Sequence, residues 1–234
     1  MTPALSIVIP AFDEEARIGK TLAEVCAWLD ARGMDYELLV ADDGSRDRTG
    51  ALVKEHAATN PRIRLVTLPR NQGKGAAVRA GVLASRGAEV LFCDADHATP
   101  IAELEKLRAA LAGGHDVAIG SRALPGADIR VRQHPVRELM GKTFNRLVQT
   151  LLLAGFQDTQ CGFKLFRGDV ARTLFAASQV DGFAFDVEIL RLARQGQLRI
   201  AEVPVAWRHV DESKVSPCRD AARMFWDLLR LRLR

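Results

Sequence analysis

The sequence lacks the features that would place a protein outside the cell or across a membrane. Its four cysteines, Cys26, Cys93, Cys161 and Cys218, lie far apart, with no CxxC pair and no Cys/His cluster at zinc-ligand spacing. That spacing argues against a disulfide scaffold and a structural zinc, and predicts free, buried thiols. No apolar run approaches the roughly 18 residues that cross a bilayer. Met1 leads directly into Leu5-Ser6-Ile7-Val8-Ile9 without a basic segment followed by an apolar one, so no signal peptide is read there. Together these absences predict a cytoplasmic protein whose membrane contact would be peripheral. Charge of one sign is also scarce. The 33 basic and 29 acidic residues leave a formal charge of +4, too little to imply a nucleic-acid partner. Without repeats or a Pro/Gly/Ser-rich linker, the 234 residues read as one domain, 1–234.

What is present is alternation. Short apolar runs at 5–9, 36–41, 63–68, 89–93 and 116–119 read as strands buried on both faces. Helical periodicity fills 14–31, 46–58, 74–85 and 101–112, with Thr99 expected to cap the last and Pro100 placed where a missing N–H costs little. This is the pattern of an α/β, Rossmann-like, mostly parallel sheet flanked by helices. Beyond 120 it gives way to a basic loop, helices at 135–155, 169–177 and 185–194, a β-like 162–166, a strand at 200–207 and a C-terminal helix at 219–234.

Ligands in such sheets gather at the C-terminal strand ends. There the chain puts Pro10-Ala11-Phe12-Asp13-Glu14-Glu15, Asp42-Asp43-Gly44-Ser45, Asp94-Ala95-Asp96 and Gly120-Ser121-Arg122. Asp94 and Asp96 flank one residue after an apolar strand, and hard carboxylate oxygens suit Mg²⁺ or Mn²⁺. A site with two carboxylates implies that substrate phosphates complete the coordination shell. Strand-end aspartates also cap helices, a role that Thr99 can take here. Gly44 and Ser45 read as turn and helix cap, and Asp42 as a partner for a nucleobase or ribose. Asn71-Gln72-Gly73-Lys74-Gly75 reads either as a loop carrying Lys74 to a nucleotide or as a plain turn. Arg122 stands at a strand end beside the acidic site. Arg130, Arg132, Arg137, Arg208 and Lys214 form basic segments, with a solvated surface favoured for Arg130 and Arg132. In the C-terminal helix Arg219, Arg223, Arg230 and Arg234 fall within a stripe of about 60°, with Phe225, Leu228, Leu229 and Leu231 elsewhere. Such a helix either lies on an anionic membrane or docks on the core. None of the five histidines is given a catalytic role.

Taken together, the strand-end motifs resemble family 2 glycosyltransferases with the GT-A fold. Within that family, the strings Asp158-Thr159-Gln160-Cys161-Gly162-Phe163-Lys164-Leu165-Phe166, Ala184-Phe185-Asp186-Val187-Glu188 and Glu212-Ser213-Lys214 look like the dolichyl-phosphate β-glucosyltransferases. The resemblance implies inverting transfer of glucose from UDP-glucose to a polyprenyl phosphate, dolichyl or undecaprenyl, at the cytoplasmic membrane face. It implies a nucleotide-sugar part, 1–120, and an acceptor part, 121–234. Pro10, Ala11, Glu14 and Asp42 would bind uridine and Lys74 the nucleotide, with Asp94, Ala95 and Asp96 at the ribose and metal. Arg122, Arg137, Arg208 and Lys214 would hold the acceptor phosphate. Asp158 and Gln160 would sit near the sugar, making Asp96, Arg122, Asp158 and Gln160 the catalytic set. His97 stands where the family usually has glycine. Related enzymes use GDP-mannose or a soluble acceptor. A nucleotidyltransferase would carry its glycine-rich loop after the first strand, where Pro10 to Glu15 stand instead, and a nucleotide-binding membrane module would bind without turnover.

Overall fold

The computed structural model describes residues 2–131, 135–210 and 217–233, without the side chains of 135–140, 142 and 217–222. The alternating runs become β1 (Leu5–Ala11), α1 (Ile18–Asp30), β2 (Tyr36–Asp42), α2 (Thr49–Thr59), β3 (Ile63–Thr67), α3 (Lys74–Ala84), β4 (Glu89–Cys93), α4 (Leu104–Ala112) and β5 (Val117–Ser121). After them come β6 (Asp128–Val131), α5 (Pro135–Leu151), β7 (Phe163–Arg167), α6 (Gly168–Ala177), α7 (Phe185–Gln195), β8 (Ile200–Pro204), β9 (Ala206–Arg208) and α8 (Pro217–Leu233).

Seven strands form one sheet in the order β3-β2-β1-β4-β7-β5-β8, and β6 pairs with β9 beside it. All pairings in the large sheet are parallel except those of β7, which runs antiparallel to both β4 and β5. Both faces are dry, as the apolar runs require. Ile7 and Ile9 point toward α1 and α4, joining Leu22, Val25, Leu104 and Leu107. Val8, Val90 and Phe92 point the other way, into a cluster with Val78, Phe175, Phe185, Leu228 and Leu231 from α3, α6, α7 and α8. Cys26, Cys93 and Cys161 are free and buried in this interior.

Three local expectations are corrected. The single strand expected over 200–207 breaks at Val205, because its second half leaves the large sheet to pair with β6. Helix α1 starts at Ile18 rather than residue 14, since Asp13 turns with φ +52° and Glu14 to Arg17 form a tight turn closed by the Glu14 carbonyl. Thr99 caps nothing at the next helix start. A 3₁₀ turn (Ile101–Glu103) begins there without an N-cap side-chain bond, and the Ile101 N–H donates to His97 Nε2 at 2.9 Å.

Candidate active site

The reversed direction of β7 builds the site. Because β7 lies between β4 and β5, its first residues stand beside their last ones, with Cys93 opposite Phe163 and Ile119 opposite Lys164. Residues 158–162 are thereby delivered to the edge that carries Asp94, Asp96 and Arg122.

Asp94 and Asp96 follow β4 on a loop held from several sides. Thr21 Oγ1 of α1 donates to the Ala95 carbonyl at 2.7 Å, and Asp94 N–H donates to the Gly162 carbonyl at 3.1 Å. Asp96 Oδ1 accepts the Ala98 N–H at 3.0 Å. A Cβ at Gly162 would run into the Asp94 carboxylate, so the DTQCG string ends in glycine for a steric reason. The loop reverses at His97, whose φ of +50° is left-handed. Two hydrogen bonds offset that strain. Nε2 takes the Ile101 N–H, so Nδ1 carries the proton and donates to Glu24 Oε2 at 2.8 Å. That bond, opposed by burial, holds the Glu24 carboxyl below its ordinary range.

The pair fits a divalent cation. Burial and the neighbouring Asp94 charge raise the pKa of Asp96, and the buried Asp94 Oδ1 is paired with the Lys74 ammonium at 2.6 Å. Among the described residues no group of three or more His, Cys, Asp or Glu side chains is arranged to cage a metal. Two carboxylates with room for substrate phosphates is the donor set expected for Mg²⁺ or Mn²⁺.

Lys74 opens α3, and the glycines around it serve packing. A Cβ on Gly73 or Gly75 would strike the carbonyl oxygens of Asp181 or Val180, and Gly73 has φ +117°. The loop is pinned from below by Asp43, whose two oxygens accept the Gln72 and Gly73 N–H groups at 2.8 Å each. The surplus carboxylate of the Asp42-Asp43 pair therefore has a structural use. Asp42, buried at the end of β2, accepts the Ser45 N–H at 3.0 Å. Ser45 does not cap α2, as its hydroxyl takes the Asp13 N–H at 2.9 Å and Asp47 Oδ1 takes the Thr49 N–H instead. Pro10 and Ala11 end β1 opposite Ala41 and Asp42, and Glu14 pairs with Arg17 at 2.6 Å. These residues converge on one edge of the sheet.

Arg122 follows β5 and grips Asp158 through Nε at 2.7 Å, Nη2 at 2.9 Å and its backbone N–H at 3.0 Å. Burial opposes ionisation of Asp158, but the Arg122 charge and hydrogen bonds, with Lys164 beyond, hold its carboxyl at about 2. Asp158 Oδ1 also accepts the Gln160 N–H at 3.2 Å. The Arg122 guanidinium lies 5.5 Å from the Trp207 ring centre, and the next residue, Arg208, donates its backbone N–H to the Ala98 carbonyl at 2.9 Å. Arg208 is thus tied to the loop that follows Asp96. Arg130 is exposed and paired with Asp128 at 2.7 Å. Lys214, Glu212, Ser213, Arg132 and Arg234 lie outside the described residues, and of Arg137, Cys218 and Arg219 only the backbone is described.

Sequence reasoning gave no role to the buried ion pair beneath the site. Lys164 Nζ is 2.5 Å from Asp186 Oδ1 and donates to the Cys161 carbonyl at 2.7 Å, with both side chains almost fully buried. A lysine between Phe163 and Leu165 in a strand dry on both faces is the signal that would have found it, because such a charge demands a buried partner. Glu188, also buried, accepts the Gln179 and Val180 N–H groups and braces the loop that packs on Gly73 and Gly75.

Residues 6–175 match the model of glycosyl transferase family 2. The chain belongs to that family. This family 2 glycosyltransferase is 36% identical over 246 residues to the dolichyl-phosphate beta-glucosyltransferase of Homo sapiens, covering 100% of this chain and 76% of the human one. Identity to that of Saccharomyces cerevisiae is 35% over 247 residues, covering 98% and 74%. A Trichomonas vaginalis protein of the same description is 40% identical over 221 residues, covering 90% of this chain and 65% of that one. Among solved structures, glucosyl-3-phosphoglycerate synthase of Mycobacterium tuberculosis superposes with a TM-score of 0.70 at 23% identity, covering 98% of this chain and 80% of that chain. It has also been crystallised with Mn²⁺ and UDP-glucose. At that identity the likeness is one of fold, and the glycosyltransferase has the GT-A architecture its strand-end motifs implied.

Proposed function

We propose that this glycosyltransferase moves glucose from UDP-glucose to a polyprenyl phosphate, dolichyl or undecaprenyl, with inversion and with Mg²⁺ or Mn²⁺ at Asp94 and Asp96, on the cytoplasmic face of a membrane. The observation that carries this reading is the set of relatives 35–40% identical over 90–100% of the chain, all described as dolichyl-phosphate beta-glucosyltransferases.

An oxygen of the lipid phosphate attacks the anomeric carbon of glucose, and the bond from that carbon to the UDP oxygen breaks. A phosphate acceptor is already an anion at neutral pH, so no strong general base is needed to make it a nucleophile. Positioning and charge neutralisation supply the catalysis. When bound, the divalent cation stabilises the charge that develops on the departing diphosphate. Pro10, Ala11, Glu14 and Asp42 receive uridine, Lys74 the diphosphate, and Asp94, Ala95 and Asp96 the ribose and metal. Asp158, locked to Arg122 and ionised throughout the neutral range, orients the sugar with Gln160 and takes no proton. Arg122 keeps partial exposure beside Trp207. With Arg208, Arg137 and Lys214 it meets the acceptor phosphate.

Among the described residues no helix is long and apolar enough to cross a membrane. Membrane contact is assigned to α8. Its Met224, Leu228 and Leu231 are buried in the protein, which takes up the apolar side the sequence offered to lipid. The outward face still shows Phe225, Trp226 and Leu233, 43%, 62% and 88% exposed, beside exposed Arg223 and Arg230. An aromatic and arginine face of this kind suits an anionic interface.

The deciding assay is UDP release from UDP-glucose with Mn²⁺ or Mg²⁺, with polyprenyl phosphate added or withheld and GDP-mannose as the control donor. Release that needs UDP-glucose, metal and lipid phosphate is expected. Release with a diffusible phosphate but not with lipid would overturn the acceptor, and turnover of GDP-mannose alone would overturn the donor.

A further inference from the structure

We infer that Lys74 is the resident counter-ion of Asp94, so that the divalent cation and the nucleotide diphosphate bind cooperatively, each relieving a charge the other leaves exposed. The inference rests on the metal and nucleotide roles proposed above.

Four charges meet beneath the sheet edge, Lys164 and Asp186 buried and Lys74 and Asp94 partly exposed. Lys164 is locked to Asp186 at 2.5 Å, and Lys74 is locked to Asp94 at 2.6 Å. The two ammonium groups lie 5.3 and 5.8 Å from the centre of the same Phe92 ring. Asp186 also acts on Lys74, and burial of Lys74 is outweighed by the fields of Asp94 and Asp186, which keep it charged. The two pairs neutralise one another without any ligand.

Their mobility differs. Lys164 has a second fixed partner, the Cys161 carbonyl, and is closed off from solvent. Lys74 sits at the start of α3 with about a fifth of its side chain exposed, and it pairs with the buried Asp94 Oδ1. The whole Asp94 carboxylate lies where a Cβ on Gly162 would stand. A divalent cation on Asp94 therefore meets an ammonium group already paired with the carboxylate. Two cations sharing one carboxylate repel strongly in a partly dry site. A diphosphate removes the conflict by offering Lys74 new oxygens and completing the metal shell. By reciprocity, whatever factor the nucleotide adds to metal affinity, the metal adds to nucleotide affinity.

The experiment is Mn²⁺ binding followed by the electron paramagnetic resonance signal of the free ion, with and without UDP, on the full chain. In the wild type UDP should raise Mn²⁺ affinity by about tenfold or more. Lys74→Met should bind Mn²⁺ without UDP at least about fivefold more tightly than the wild type, and UDP should add much less. Lys74→Arg keeps the charge and should stay close to the wild type, with circular dichroism checking that both variants are folded. Equal Mn²⁺ affinity of Lys74→Met and wild type without UDP, alongside intact UDP-dependent binding, would overturn the inference and leave the metal site standing. Absence of Mn²⁺ binding by the wild type even with UDP would remove the metal site, and the inference with it.

Discussion

Asp158 accepts three hydrogen bonds from a single residue, Arg122, two from the guanidinium and one from the backbone. The contact joins the loop after β5 to the segment that enters β7, so it fixes the arginine loop against that segment. With its carboxyl held at about 2, Asp158 adds stability that is fully present above its ordinary value of 3.8 and is lost as the pH falls through about 2. Asp158→Asn should therefore cost about 2 kcal/mol at neutral pH. In acid titrations followed by tryptophan fluorescence, the difference from wild type should shrink as the pH falls through that window. A constant difference down to pH 2 would contradict the assignment.

The glycines beside Lys74 make a second prediction. They are small because the carbonyls of Val180 and Asp181 lie against them. Gly75→Ala should destabilise the fold by about 1–3 kcal/mol through overpacking, seen as a lower urea midpoint without ligand. A glycine needed only for phosphate approach would instead lose UDP affinity at unchanged stability.

His97 separates backbone strain from side-chain bonding. Both His97→Ala and His97→Gly lose the bonds to Glu24 and Ile101, but only glycine adopts the left-handed φ freely. His97→Ala should be the less stable of the two by about 1 kcal/mol in chemical denaturation. Equal stability would mean the loop relaxes when the ring is removed.

The buried pair predicts non-additivity. Lys164→Met alone leaves Asp186 unpaired in the core and should cost about 3–5 kcal/mol, whereas Lys164→Met with Asp186→Leu should recover a large part of it. Thermal melts of the two single variants and the double variant close the cycle.

For α8, Phe225→Ser with Trp226→Ser should lower co-sedimentation with vesicles containing anionic lipid several-fold, with the fold unchanged because both side chains face outward. Unchanged sedimentation would move the membrane contact elsewhere.

The parts of the fold that could be read in advance were those with a strong local signal. The apolar runs of β1, β2 and β4 fit only buried strands, and α3, α6 and α7 were placed within a residue or two. The direction of β7 was hidden, because an apolar run does not say which way it is paired. Four-residue β6 lay in a loop rich in arginine, and β8 and β9 merged because nothing local marks the change of sheet at Val205. In the site, Asp94 and Asp96 were legible from their position after a strand. The bonds of Lys74 to Asp94, Arg122 to Asp158 and Lys164 to Asp186 span 20 residues or more, and no local pattern records such a meeting.

The place of β7 also sets the order in which the chain can mature. β4 and β5 are complete by Ser121, yet the strand that belongs between them ends only at Arg167. As the chain leaves the ribosome, the inner flanks of β4 and β5 stand unpaired, with Phe92 lacking Phe185. Open strand edges of this kind are the surfaces through which nascent chains associate wrongly. Until the segment from 122 to 167 has been made, these two strand edges have no partner in the sheet.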